Sequence, residues 1–423
     1  MNRFKKIVLK NGLRVVLVPQ PESLAASVLI LVEAGSEYET KRVSGISHFL
    51  EHMTFKGTVN RPKPGAIAEE FAGLGAQSNA FTSREYTGYW AKAESRKVHE
   101  ILDIVSDLYL NPIFAPEEIE KERGVVIEEI NMYEDSPPNK VQRIFNSLVY
   151  GDQPAGWDVA GEKETVKKIM RDDLVKYRDE RYRMRGTVIA VSGKFNERAV
   201  IAQLRATFGH FNHGRPAAKL KTKDLQSGPR IELSFKESDQ AHLVLGFRAF
   251  DLFDRRRYEA QALADILGGG MSARLFKRVR EEMGAAYYIG ADADLLLDHG
   301  MFTISAGVDR SKIDVVLRAV LEECRDMRDE LVPPAELRRS KDHAIGNLIL
   351  GLETSDELGS FYACQELLAN APLRPDQLTD RINRVTAEGI RRTARAIFTE
   401  RKMNFAVVGP YKNQASFKKI LTL

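Results

Sequence analysis

Apolar and polar positions alternate with the period of a strand over residues 13–18 and 26–32. The pattern then changes to helical spacing over 44–55 and 67–74, and a further strand is expected near 86–93. Helical periodicity returns over 95–110, and again over 116–132, where a proline in the first turn and nearby acids match the preferences of a helix N-terminus. Strands and helices therefore come in blocks, not in strict alternation. This predicts an α+β fold with helices packed on a mainly antiparallel sheet.

The pattern also repeats. TGYWAKAESRKVHEIL from Thr87 aligns with GMFTISAGVDRSKIDV from Gly300 at an offset of 213. APEEI from Ala115 aligns with PPAEL from Pro333 at 218, and VIAVSGKF from Val188 with NFAVVGPY from Asn404 at 216. Nearly constant offsets imply a duplication, so the two halves should share one fold. The stretch from His213 to Arg230, rich in Gly, Pro and Lys, joins them. The expected domains are 1–215 and 226–423, with 216–225 as the linker.

Composition narrows the function. The 63 Lys and Arg nearly balance 59 Asp and Glu, leaving a net charge of +4, so no footprint for nucleic acid or an anionic membrane stands out. The most apolar stretch, 24–32, is far shorter than the ~18 residues a membrane span needs. The opening MNRFKKIVLKNGLRVVLV turns into a strand pattern and lacks the apolar core of a secretory signal, so a cytoplasmic location is the expectation. Cys324 and Cys364 form no metal-binding spacing and read as core thiols.

The chemistry concentrates in Ser44-Gly45-Ile46-Ser47-His48-Phe49-Leu50-Glu51-His52, which contains H-x-x-E-H. In a helix capped near Ser44, His48 and His52 stand one turn apart on one face and can grip one metal ion. Glu51 sits at the edge of that face, placed as a general base toward a zinc-bound water. A third ligand is available on the helix that follows. Glu122 and Glu129 lie two turns apart on one face, and Glu128, pointing about 100° away from Glu129, suits solvent better although spacing does not exclude it. Asn79-Ala80-Phe81-Thr82 would form an exposed edge on which an extended peptide can add as another strand. Gly268-Gly269-Gly270 lacks the G-x-x-x-x-G-K-[ST] pattern of a phosphate cradle.

The runs HFLEHMTFKGT from His48, NAFTSRE from Asn79, ERGVVIEE from Glu122 and GGGMSARLFKRVREEMGAAYY from Gly268 together resemble the pitrilysin and insulysin family of zinc peptidases. Length and glycine run look most like its mitochondrial processing peptidase branch and bacterial relatives. The resemblance implies one zinc per chain held by His48, His52 and a glutamate separated from the motif by 76 intervening residues, here Glu129. It implies catalysis by Glu51 and support from Glu122, seven residues before the third ligand. Asn79, Ala80 and Phe81, on the exposed edge described above, are the candidate substrate-binding residues of the first half. Arg280 and Tyr287 match an Arg and Tyr that hold the substrate near the scissile bond, the phenol facing the developing oxyanion. Shifted by the repeat offset, the ligand and base positions fall on Ala264, Leu267, Gly268 and Asn347, so the second half resembles the family's non-catalytic domain.

The expected function is a zinc metalloendopeptidase hydrolysing peptide bonds in extended peptides or unfolded segments. The alternatives are a catalytically idle structural or recognition subunit, or the active member of a heterodimer. Full-length relatives join two bowls of two domains each, with the Arg and Tyr opposite the zinc. A two-domain chain is one bowl, half of a clam-shell, so a homodimer with composite active sites is expected.

Overall fold

The computed structural model describes residues 4–211 and 214–423, so His213 lies outside the described residues. They form two compact units. The first comprises the chain up to Ile130, Trp157–Leu220 and Ile349–Pro375; the second comprises Asn131–Gly156, Lys221–Leu348 and Asp376–Leu423.

The first unit is built on six strands: β1 (Lys5–Val8), β2 (Arg14–Pro19), β3 (Ala25–Val32), β4 (Gln77–Thr82), β5 (Thr87–Glu94) and β6 (Thr187–Gly193). Their order is β1-β2-β6-β3-β5-β4, antiparallel throughout except for the β2–β6 pair. The second unit holds β7 (Arg230–Phe235), β8 (Gln240–Arg248), β9 (Ala286–Leu295), β10 (Gly300–Asp309) and β11 (Met403–Gly409). Its order is β7-β11-β8-β10-β9, with β7–β11 as its parallel pair. Each unit is therefore an α+β layer arrangement on a mainly antiparallel sheet, as the block pattern of the sequence predicts.

The strand AASVLILV of β3 is buried along nearly its whole length on both faces, so its sheet needs cover on both sides. On one face Val28, Ile30 and Val32 pack with Ile101, Val105 and Leu108 of helix Val98–Leu110. On the other, Leu29, Leu31, Val16 and Val188 meet Leu358, Tyr362, Ala363 and Leu367 of helix Ser355–Ala369. Each fully buried side chain of this kind contributes about 1.5–3 kcal/mol relative to exposure. The approach is close: a Cβ on Gly359 would stand 2.6 Å from Ser192 Oγ of β6.

The same device recurs in the second unit, where Val141, Phe145 and Val149 of helix Pro137–Tyr150 cover Val244, Ala406 and Val408. These two covering helices start at Pro137 and Ser355, the 218 offset of the repeat. The limits 1–215 and 226–423 thus mark halves of the sequence, whereas each compact unit includes one helix of the other half. A strand that is apolar on both faces requires a second layer, and its alternation does not say which segment provides it.

Helix Ile46–Thr54 is shorter than the expected 44–55, because Gly45 adopts φ +92 and the helix begins after it. Helix Pro116–Asp135 runs past the expected end at 132. Among the described residues, no helix is long and apolar enough to cross a membrane. For function, the important feature is that β4 ends the first sheet, with helix Ile46–Thr54 packed beside it.

Candidate metal centre and active site

Helix Ile46–Thr54 has a buried apolar face of Ile46, Phe49, Leu50 and Met53, which turns His48 and His52 toward the helix Pro116–Asp135. Ser44 does not cap it. The buried Glu39 carboxylate does, accepting from the Gly45 N–H at 2.7 Å and the Ser47 N–H at 2.8 Å. The Glu39 carboxyl offers two acceptor oxygens, one for each of these N–H groups, where the Ser44 hydroxyl offers one. Burial pushes the Glu39 carboxyl up to about 8, against the pull of those donors.

This arrangement sets an expected result. Between the ordinary carboxylate range and about 8, folded Glu39 holds a proton that the unfolded chain has released. Its stabilising contribution is therefore full at acid pH and fades as pH rises through about 8. Thermal unfolding should show Glu39→Gln, which cannot ionise, less stable than wild type at pH 6, with the gap shrinking by pH 9. Glu39→Ala should cost about 1–3 kcal/mol for each helix N–H left without an acceptor.

The second helix is anchored by Arg123, whose guanidinium lies 5.6 Å over the Phe49 ring and donates to the Ile169 carbonyl at 2.9 Å. Its register then delivers both glutamates to the histidines. Glu122 Oε1 accepts from His52 Nδ1 at 2.8 Å, while Glu129 Oε2 lies 3.4 Å from His52 Nε2 and 3.6 Å from His48 Nε2. The two Nε2 atoms are 3.2 Å apart. Glu128 faces solvent. With its Nδ1–H given to Glu122, His52 turns its Nε2 toward the centre of the cluster.

Burial disfavours charge on His52, but Glu122 and Glu129 beside it outweigh that and raise its pKa to about 9. Burial, assisted by His52, brings His48 down to about 4. Burial opposes ionisation of Glu122 as well, yet His52 and Lys56 hold its carboxyl below the usual range. Lys56 Nζ lies 2.6 Å from Glu122 Oε2, completing a chain from Lys56 through Glu122 to His52. Glu51, only 9% exposed, accepts from Thr82 Oγ1 at 2.7 Å. Burial raises its proton affinity more than that donor lowers it.

The structure thus brings His48, Glu51, His52, Glu122 and Glu129 together. Asn79, Ala80 and Phe81 lie on β4, paired with β5 on one side and ending the sheet on the other. Arg280 and Tyr287 belong to the second unit. Arg280 is exposed on a π-helical turn, Phe276–Glu282, its guanidinium 4.9 Å over Phe276. Tyr287 is 69% exposed on β9, the edge strand of its sheet, and is not a core residue. The sequence assigns no role to three neighbours, Glu39, Lys56 and Arg123, and places Thr82 on the peptide-binding edge without its bond to Glu51. Lys56 was signalled by its position four residues after His52, and Thr82 by strand alternation with Ala80; Glu39 and Arg123 carried no local signal.

The family model described as "Insulinase (Peptidase family M16)" matches residues 14–163, and "Peptidase M16 inactive domain" matches 168–343. The chain is 33% identical over 413 residues to the uncharacterized zinc protease YmxG of Bacillus subtilis, covering 98% of this chain and 100% of that one. It is likewise 33% identical to an uncharacterized zinc protease of Rickettsia felis, over 95% of this chain and 96% of the other. Among solved structures, a protease from Helicobacter pylori shares the fold with a TM-score of 0.91 at 23% identity, covering 97% of this chain and 100% of that one. A chain of complex III2 from Candida albicans shares it with a TM-score of 0.85 at 17% identity, over 99% and 100% of the two chains. On near full-length similarity to these zinc proteases, the chain belongs to the peptidase M16, or insulinase, family.

Proposed function

We propose that this protein is a zinc-dependent endopeptidase for extended peptides, with one zinc per chain held by His48, His52 and Glu129. The observation that carries this reading is the convergence of three donor atoms from two helices within 4.8 Å, with Glu51 beside them. Tetrahedral zinc with Zn–N distances of about 2.0–2.1 Å places neighbouring donors roughly 3.3–3.4 Å apart. The separations found, 3.2, 3.4 and 3.6 Å, suit that geometry, and two imidazoles with one carboxylate are donors zinc prefers. When bound, zinc supplies Lewis acidity that polarises a carbonyl and acidifies water.

The residues of the chain supply the rest. An extended peptide adds to the free edge of β4 through main-chain hydrogen bonds, beside Asn79, Ala80 and Phe81, and this tolerates varied side chains. Glu51 takes the proton of the attacking water and passes it to the leaving amine. Its raised proton affinity suits a group that must hold that proton between two steps. Glu122 fixes the tautomer and orientation of His52. Arg280 donates to a substrate carbonyl and Tyr287 to the developing oxyanion, from a second copy of the chain in a closed two-fold homodimer. An idle subunit would be favoured by a missing ligand or base, and none is missing here.

The test is product mapping. Purified protein, its zinc content measured, is incubated with a peptide library and the fragments are identified by mass. Cleavage at internal peptide bonds that a chelator stops and added zinc restores is the expected result. A zinc-loaded protein that leaves the whole library intact overturns the reading.

A further inference from the structure

Thr82 is the last residue of β4, and its hydroxyl donates to Glu51 Oε2 at 2.7 Å. Strand alternation places it on the same face as Ala80, which is buried in the core shared with helix Ile46–Thr54, while the intervening Phe81 packs over Gly88. A glutamate reaches its carboxylate through several torsions, each with more than one staggered well, and a hydrogen-bond donor at a fixed place favours one combination of them. At Glu51 that partner is a side chain rooted in the sheet edge, on a strand held in register by β5 from Gln77↔Lys92 to Thr82↔Thr87. By engaging Oε2, Thr82 leaves Oε1 for proton transfer.

The same residue therefore belongs to two structures at once. Its backbone is part of the edge on which an extended peptide would lie, and its side chain holds the carboxylate that would serve as the base. We propose that Thr82 is a positioning residue that ties Glu51 to the peptide-binding strand, so that base and scissile bond share one frame of reference. This rests on the endopeptidase reading above and deepens it. A group misaligned by about an ångström costs on the order of a hundredfold in rate, so loss of the tie should appear in turnover.

Thr82→Val keeps the shape and removes the donor, whereas Thr82→Ser keeps the donor. Both are compared with wild type for kcat and KM on one peptide and for zinc affinity by competition with a chelator. In Thr82→Val, kcat should fall roughly ten- to hundredfold, with KM and zinc affinity within about threefold of wild type; Thr82→Ser should stay within about threefold in all three. The assignment is overturned if Thr82→Val keeps kcat within about twofold. It is equally overturned if its loss lies in KM or zinc binding, or if Thr82→Ser fails as badly. Zinc-loaded wild type that cleaves nothing overturns the endopeptidase reading and this one together; active wild type beside an unaffected Thr82→Val overturns this one alone.

Discussion

Glu51→Gln is expected to lose peptide hydrolysis and keep its zinc. The amide has nearly the shape of the carboxylate and its oxygen can still accept from Thr82, so helix Ile46–Thr54 keeps its packing. What disappears is a group able to take a proton, a contribution of roughly 10²–10⁴ in rate. His48→Ala and Glu129→Gln should behave differently, since each removes a donor of the converging set and zinc and activity should fall together. Glu122→Gln should weaken zinc binding by about 10–100-fold through the freed His52 ring, and Glu128→Gln, on an exposed side chain, should be nearly silent. Metal analysis and a peptide assay on the same preparations separate these cases. Full hydrolysis by zinc-loaded Glu51→Gln would sink the proposed role of the base, and loss of metal in Glu128→Gln in place of Glu129→Gln would move the ligand by one residue.

Mixing two inactive variants should restore activity. If Tyr287 of one copy serves the Glu51 site of another, Glu51→Gln and Tyr287→Phe chains are each inactive alone, yet their heterodimer contains one site with both groups intact. Recovery should approach a quarter of wild-type turnover per chain in an equal mixture, since about half of randomly paired dimers are mixed and each carries one working site. The exposed position of Tyr287 on an edge strand suits a residue that meets a ligand. The measurement is turnover before and after subunit exchange, with exchange followed by labelled chains. Verified exchange without recovery excludes the shared site.

How much of this was legible in the sequence depends on the range of the interaction. The block order of elements and the α+β class follow from period-2 and period-3.6 patterns, which local backbone geometry imposes, and the duplication from segments that recur at nearly constant offset. The same geometry puts His48 and His52 one turn apart and Glu122 and Glu129 on one face, so their candidacy could be read from spacing alone. Spacing left Glu122, Glu128 and Glu129 open as ligands on physical grounds. Their surroundings separate them, with Glu129 facing both Nε2 atoms, Glu122 at His52 Nδ1 and Glu128 in solvent.

Other features exist only in the folded chain. Ser44 looked like the cap because it precedes the helix, but the buried Glu39 reaches the same N–H groups from a turn that no periodic pattern marks. The Thr82–Glu51 hydrogen bond spans 31 residues, and the cover of β3 comes from a helix more than 300 residues later. A side chain's own periodicity states which way it points and how apolar its surroundings must be. Which partner fills that space is decided by packing among distant segments, and only the tertiary structure records that choice.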